Sequence, residues 1–138
     1  LSLHDALPIC RFYRETFDAA TAARAGGCVV GVGTDQSLEF FEADDVPAYD
    51  GHHVALYVNG DAFVEAYGRL KARGLVFNNP RFPQFSYATL ALALHHNEFR
   101  VRDLVDDAGA VVYELEHEIR SLLHPGFAAT RLADGGDL

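Results

Sequence analysis

The chain has 138 residues, 49% of them hydrophobic and 12% aromatic, which is enough for one domain with a real core and excludes the disordered class. A formal charge of −9 argues against nucleic acid or an anionic membrane surface as the main partner. No run approaches the length of a membrane-spanning helix, so a soluble, cytoplasmic protein is expected. The two cysteines, Cys10 and Cys28, are too few for a disulfide scaffold, and reduced structural thiols are expected.

The opening "LSLHDALPIC" has neither an initiating Met nor the basic start of a signal peptide. It reads as translated adapter sequence standing where a native first strand would run. A short amphipathic helix follows over 11–20, with Phe12, Tyr13 and Phe17 on one side and Arg14 and Glu15 opposite. "CVVGVG" (28–33) and "SLEFFEA" (37–43) are strands joined by the tight turn "TDQ". Residues 45–51 are a linker, and "HHVALYV" (52–58) is the next strand.

A stronger helix spans 61–74. Phe63, Ala66, Tyr67 and Leu70 repeat at helical spacing, Asp61 is placed to cap the start, and Gly74 to end it. A further helix is expected over 87–97, then strands over 98–105 and 111–119 around the turn "DDAG". Residues 128–138 have little to hold them and read as a flexible tail. "RFYRETF" and "AFVEAYGRL" are similar pieces at corresponding places, which suggests an internal repeat, module one about 1–45 and module two about 51–127.

Candidate functional residues come from strand alternation. His53 shares a face with Ala55 and Tyr57, whereas His52 points with Val54, Leu56 and Val58. "SLEFFEA" offers Glu39 and Glu42, and Glu39 should point with Phe41, away from Leu38 and Phe40. A mid-strand carboxylate is costly to bury unless paired or metal-bound, so Glu39 is either a ligand or an exposed edge residue. Glu114, Glu116 and Glu118 share one face of their strand and would repel unless a cation compensates. Arg100 and Arg102 share a face and either receive a carboxylate substrate or balance Glu114 and Glu116 across the hairpin. His95 and His96 suit a helix C-terminus, and His124 suits a closing turn. No phosphate loop, dinucleotide fingerprint or nucleophile elbow is present.

Over residues 10–127, "RFYRETF", "SLEFFE", "GHHVALYVNGDAFVEAYGRLKARG" and "FRVRDLVDDAGAVVYELEHEIRSLLHPGF" resemble the vicinal oxygen chelate superfamily of glyoxalases, bleomycin-resistance proteins and dioxygenases. "ELEHEIRSLLHP" is similar to an uncharacterised bacterial subgroup. The resemblance implies an α+β fold of two βαβββ modules around a cleft, with the first strand truncated here, and a homodimer. It also implies a divalent metal (Fe, Mn, Zn or Ni) held by His53, Glu39 and Glu116 or Glu114, with Glu116 as the acid–base residue. The expected activity is a lyase, isomerase or dioxygenase acting on a small oxygen-rich metabolite. Two alternatives stand beside it. One is a metal-free, antibiotic-type binding protein whose cleft is lined by aromatics such as Tyr57 and Phe41; the other is an inactive fragment.

Overall fold

A computed structural model describes residues 3–127, with side chains from residue 8 onward. It is an α+β arrangement with two three-stranded sheets. In chain order the elements are α1 (Leu3–Phe17), β1 (Thr21–Arg24), β2 (Gly27–Gly33), β3 (Gln36–Phe41), β4 (His53–Val58), α2 (Gly60–Ala72), α3 (Leu90–His96), β5 (Glu98–Val105) and β6 (Val111–Ser121). One sheet has the order β1-β2-β3 and the other β4-β6-β5.

The chain divides into two compact units. The first holds residues up to His52 together with Arg102–Glu116, and the second holds His53–Val101 and the residues from His117 onward. In the first unit, β1, β2 and β3 form an antiparallel meander with Ala23 opposite Cys28 and Cys28 opposite Phe40. Gly26, at φ 69°, makes the turn into β2, a left-handed conformation that glycine adopts without a Cβ penalty. α1 packs on β1 and β2 and buries Cys10, Phe12, Tyr13 and Thr16 against Cys28 and Val30. Tyr13 lies 5.6 Å from Phe40, ring to ring, and its burial pushes its hydroxyl pKa far up.

Three expectations are corrected here. The helix begins at Leu3, so "LHDALPIC" continues into "RFYRETF" as one helix, longer than the helix expected over 11–20. β1 was not expected, because "TAAR" leaves three of its four residues exposed and shows no apolar alternation. Cys10 and Cys28 form a disulfide with their Cα atoms 6.0 Å apart, where reduced thiols were expected. A sequence separation of 18 hides the pairing, which arises only when α1 folds onto β2.

In the second unit, α2 places Phe63, Ala66, Tyr67 and Leu70 inward, as its periodicity requires. Its N-cap is Asn59, whose side chain accepts from the Ala62 amide at 2.9 Å, and not Asp61. Gly74, at φ 70°, follows the C-cap Arg73 as expected. α3 is shorter than anticipated, capped by Thr89 and closed by Asn97 in the left-handed region at φ 56°. Phe99 of β5 meets Phe63 and Tyr67 edge-on with ring centroids 5.0 and 5.3 Å away. Val76 makes an isolated bridge to Val101, a minimal extra strand beside β5. The tail at 128–138 lies outside the described residues.

A candidate small-molecule cavity and a buried charge network

β3 runs out at Phe41 and the chain turns through Glu42 to Pro47, leaving a cavity of about 380 Å³ within the first unit. Its wall is mainly apolar: Ile9 from α1, Phe40 and Phe41 from β3, Val46 and Pro47 from the linker, and Val112 and Tyr113 from β6. Phe41 is 64% exposed, a large aromatic surface left uncovered. Glu39, Glu42 and Asp45 also contribute to the lining, and among the described residues no Lys, Arg or His does. Phe40 holds the wall together, with its ring 5.6 Å from Tyr13 and 6.3 Å from Tyr113.

Glu39 is exposed, as its edge position allowed, and stands 3.7 Å from the Arg24 guanidinium across the sheet. Such an exposed pair contributes little. Glu42 behaves differently. Both its carboxylate oxygens are closed off from solvent, and neither has a hydrogen-bond partner among the described residues.

The other predicted residues occupy different surroundings. Glu116 is buried in β6 and accepts a hydrogen bond from the Tyr49 hydroxyl. Glu114 is exposed, and its backbone carbonyl meets His52 Nε2 at 3.1 Å. His52 Nδ1 lies 2.9 Å from Asp50 Oδ1; this hydrogen bond raises the histidine pKa above its usual value and lowers that of Asp50.

The second unit contains a network of buried charge that alternation in the sequence had not assembled. Glu118 takes Arg100 Nη2 at 3.4 Å on one oxygen and Arg120 Nη2 at 2.6 Å on the other. Arg100 Nε reaches Glu98 at 3.4 Å, and the Tyr87 hydroxyl donates to the same Glu98 oxygen at 2.9 Å. Burial, with Glu98 beside it, pushes the Tyr87 pKa well up. Arg120 Nη1 donates to the Tyr57 hydroxyl at 2.8 Å. Phe82 stacks on Arg100 with 5.0 Å from guanidinium carbon to ring centroid. Arg100 therefore balances glutamates, as one of its two readings held, but they are Glu98 and Glu118. Tyr57 serves this network and does not line the cavity.

His53, at the start of β4, has a side chain 54% exposed and lies 3.6 Å from the Glu118 oxygen that also meets Arg100. A divalent cation needs carboxylate lone pairs that are free to coordinate. Glu118 holds two guanidinium groups, Glu116 accepts from Tyr49, and Glu39 stands beside Arg24. Among the described residues, no three His, Cys, Asp or Glu side chains come together as a metal-holding group.

Compared with known proteins, the chain matches no family model and no curated sequence. No described helix is long and apolar enough to cross a membrane.

Proposed function

We propose that the chain is a small-molecule-binding protein of the vicinal oxygen chelate type, taking a neutral or cationic aromatic molecule in the cavity beside β3. The observation that carries this reading is the chemistry of the wall. Aromatic and aliphatic side chains form its body, three carboxylates join them, and among the described residues no cationic side chain lines it. About 380 Å³ falls in the range of small-ligand sites, roughly 300–1,000 Å³. Carboxylates beside an apolar surface favour an ammonium or amidinium group and penalise an anion.

The family reading is supported by two features. Helix and strands alternate in a plan close to two repeated modules, and in the β4-β6-β5 sheet the first strand of module two lies beside its last. The finer βαβββ description, with the Val76 bridge as the remnant of one strand, belongs to the same proposal. So does a homodimer, for which the exposed Phe41, Val46 and Val111 supply apolar surface.

The test is direct. N-phenyl-1-naphthylamine, a neutral dye that brightens on apolar burial, should bind the protein, and Phe41→Ala and Tyr113→Ala should weaken it. Benzylammonium and benzyl alcohol should displace the dye, and benzoate should fail to. Absence of dye binding, or displacement by benzoate as effective as by benzylammonium, overturns the reading.

A second reading, a metal-dependent lyase, isomerase or dioxygenase, has one observation in its favour. Glu116, the residue assigned acid–base work, is a buried carboxylate whose tyrosine partner can exchange a proton with it. Elemental analysis after loading with Fe, Mn, Zn or Ni, with His53→Ala and Glu116→Ala alongside, separates the two readings. Stoichiometric metal lost in both variants would favour the enzyme.

A further inference from the structure

The disulfide and the cavity share their walls. Cys10 follows Ile9 directly in α1, and Ile9 lines the cavity. Cys28 stands opposite Phe40 in the β2–β3 register, and Phe40 is another lining residue. One turn along α1 from Cys10, Tyr13 lays its ring against Phe40, which in turn meets Tyr113. The cross-link therefore ties the helix that carries Ile9 to the strand pair that carries Phe40, both of them lining residues.

We propose that the Cys10–Cys28 disulfide is a redox brace for the cavity, so that the oxidised protein binds its aromatic ligand more tightly than the reduced protein. The inference rests on the cavity being a ligand site. Its physical basis is pre-organisation: a bond that fixes two walls removes conformational freedom that the ligand would otherwise have to remove on binding. With the bond cut, α1 keeps its apolar face on the sheet but loses the covalent limit on how far Ile9 moves from Phe40.

Reduction consumes two electrons and two protons, supplied by a dithiol. One of its thiolates attacks a sulfur of the disulfide, the mixed disulfide is resolved by its second thiol, and the dithiol leaves oxidised. Cys10 and Cys28 are left as thiols. Both cysteines are almost fully buried, at 1% and 2% exposure, so exchange waits on a local opening of α1. A ligand that closes the cavity must then oppose reduction. Linkage makes the two effects equal: the factor by which the disulfide strengthens binding is the factor by which the ligand shifts the thiol–disulfide equilibrium.

The experiment measures both sides of that equality on the whole chain. N-phenyl-1-naphthylamine is titrated into oxidised protein, into protein reduced with excess dithiothreitol, and into the Cys10→Ser/Cys28→Ser variant. Affinity is expected to fall about tenfold on reduction, within the usual range of coupling. The ratio of reduced to oxidised dithiothreitol at half-reduction should rise by the same factor when dye saturates the protein. Should the double variant fail to fold, the chemically reduced wild type carries the comparison alone. Equal affinity in both forms, or tighter binding when reduced, overturns the brace and leaves the cavity reading intact. Dye bound by neither form removes the cavity reading and the brace with it. A tenfold loss in affinity without the matching shift in half-reduction also overturns the brace, because the coupling would not run through the disulfide.

Discussion

Two buried carboxylates in this protein meet opposite fates. Glu118, in the second unit, has each oxygen engaged by a different guanidinium, and those arginines are held in turn by Glu98 and Tyr57. Glu42, in the first, has both oxygens closed off from solvent and no hydrogen-bond partner for either among the described residues. A satisfied network of this kind fixes one arrangement of its strands and leaves little free to bind anything else. An unsatisfied carboxylate at the edge of an apolar cavity marks a place where stability has been given up. The difference separates scaffold from site, and it puts the candidate site in the first unit.

The contrast breaks most visibly at Glu118. Glu118→Ala removes the carboxylate that Arg100 and Arg120 share, and should cost about 3–5 kcal/mol in urea unfolding. Dye binding, measured on the folded fraction, should not change. A loss below about 1 kcal/mol would mean the network is looser than its distances indicate.

Gly27→Ala comes next. A Cβ at Gly27 would run into the Phe40 backbone carbonyl and press on the Phe41 ring, so β3 must shift. Overpacking of this sort costs about 1–3 kcal/mol. Because Phe40 and Phe41 are cavity walls, this variant should lose dye affinity as well as stability, whereas Glu118→Ala should lose stability alone.

Glu42→Leu is smaller and opposite in sign. Removing two buried, unsatisfied oxygens should raise stability by about 1–2 kcal/mol. A loss of stability instead would show that the carboxylate is paired in solution with a bound cation.

Sequence reasoning reached the second unit more fully than the first, for physical reasons. α2 carries its own periodicity and end signals, and β5 and β6 alternate apolar with polar residues around a turn, so each element is specified locally. β1 is four small or polar residues whose strand state comes only from pairing with β2. The disulfide depends on a helix–strand contact that no local pattern encodes. The opening residues looked foreign by composition, yet they extend an amphipathic helix. Of the cavity wall, Glu39, Glu42 and Phe41 were legible as one end of a strand, whereas Ile9, Val46, Val112 and Tyr113 come from three separate segments that only the fold brings together.

The smallest prediction concerns the surface pair near the opening of β4. His52 has its pKa raised above 6.5, first by its hydrogen bond to Asp50, and Asp50 is lowered below 3.8 by the same contact. A raised histidine stabilises the fold fully below pH 6.5 and loses that contribution as pH rises through its folded value. A lowered aspartate contributes above pH 3.8 and loses it as pH falls through its own folded value. The two windows overlap between about pH 3.8 and 6.5, where both groups are charged. Urea midpoints of wild type and His52→Ala should therefore differ most in that interval and converge toward pH 8 and pH 2. Both side chains are solvated, so added salt should narrow the gap. A difference that instead persists unchanged at pH 8 would place the role of His52 in its neutral contacts, the Glu114 carbonyl and the Tyr49 ring 5.4 Å away, and would make this histidine part of the packing of the first unit.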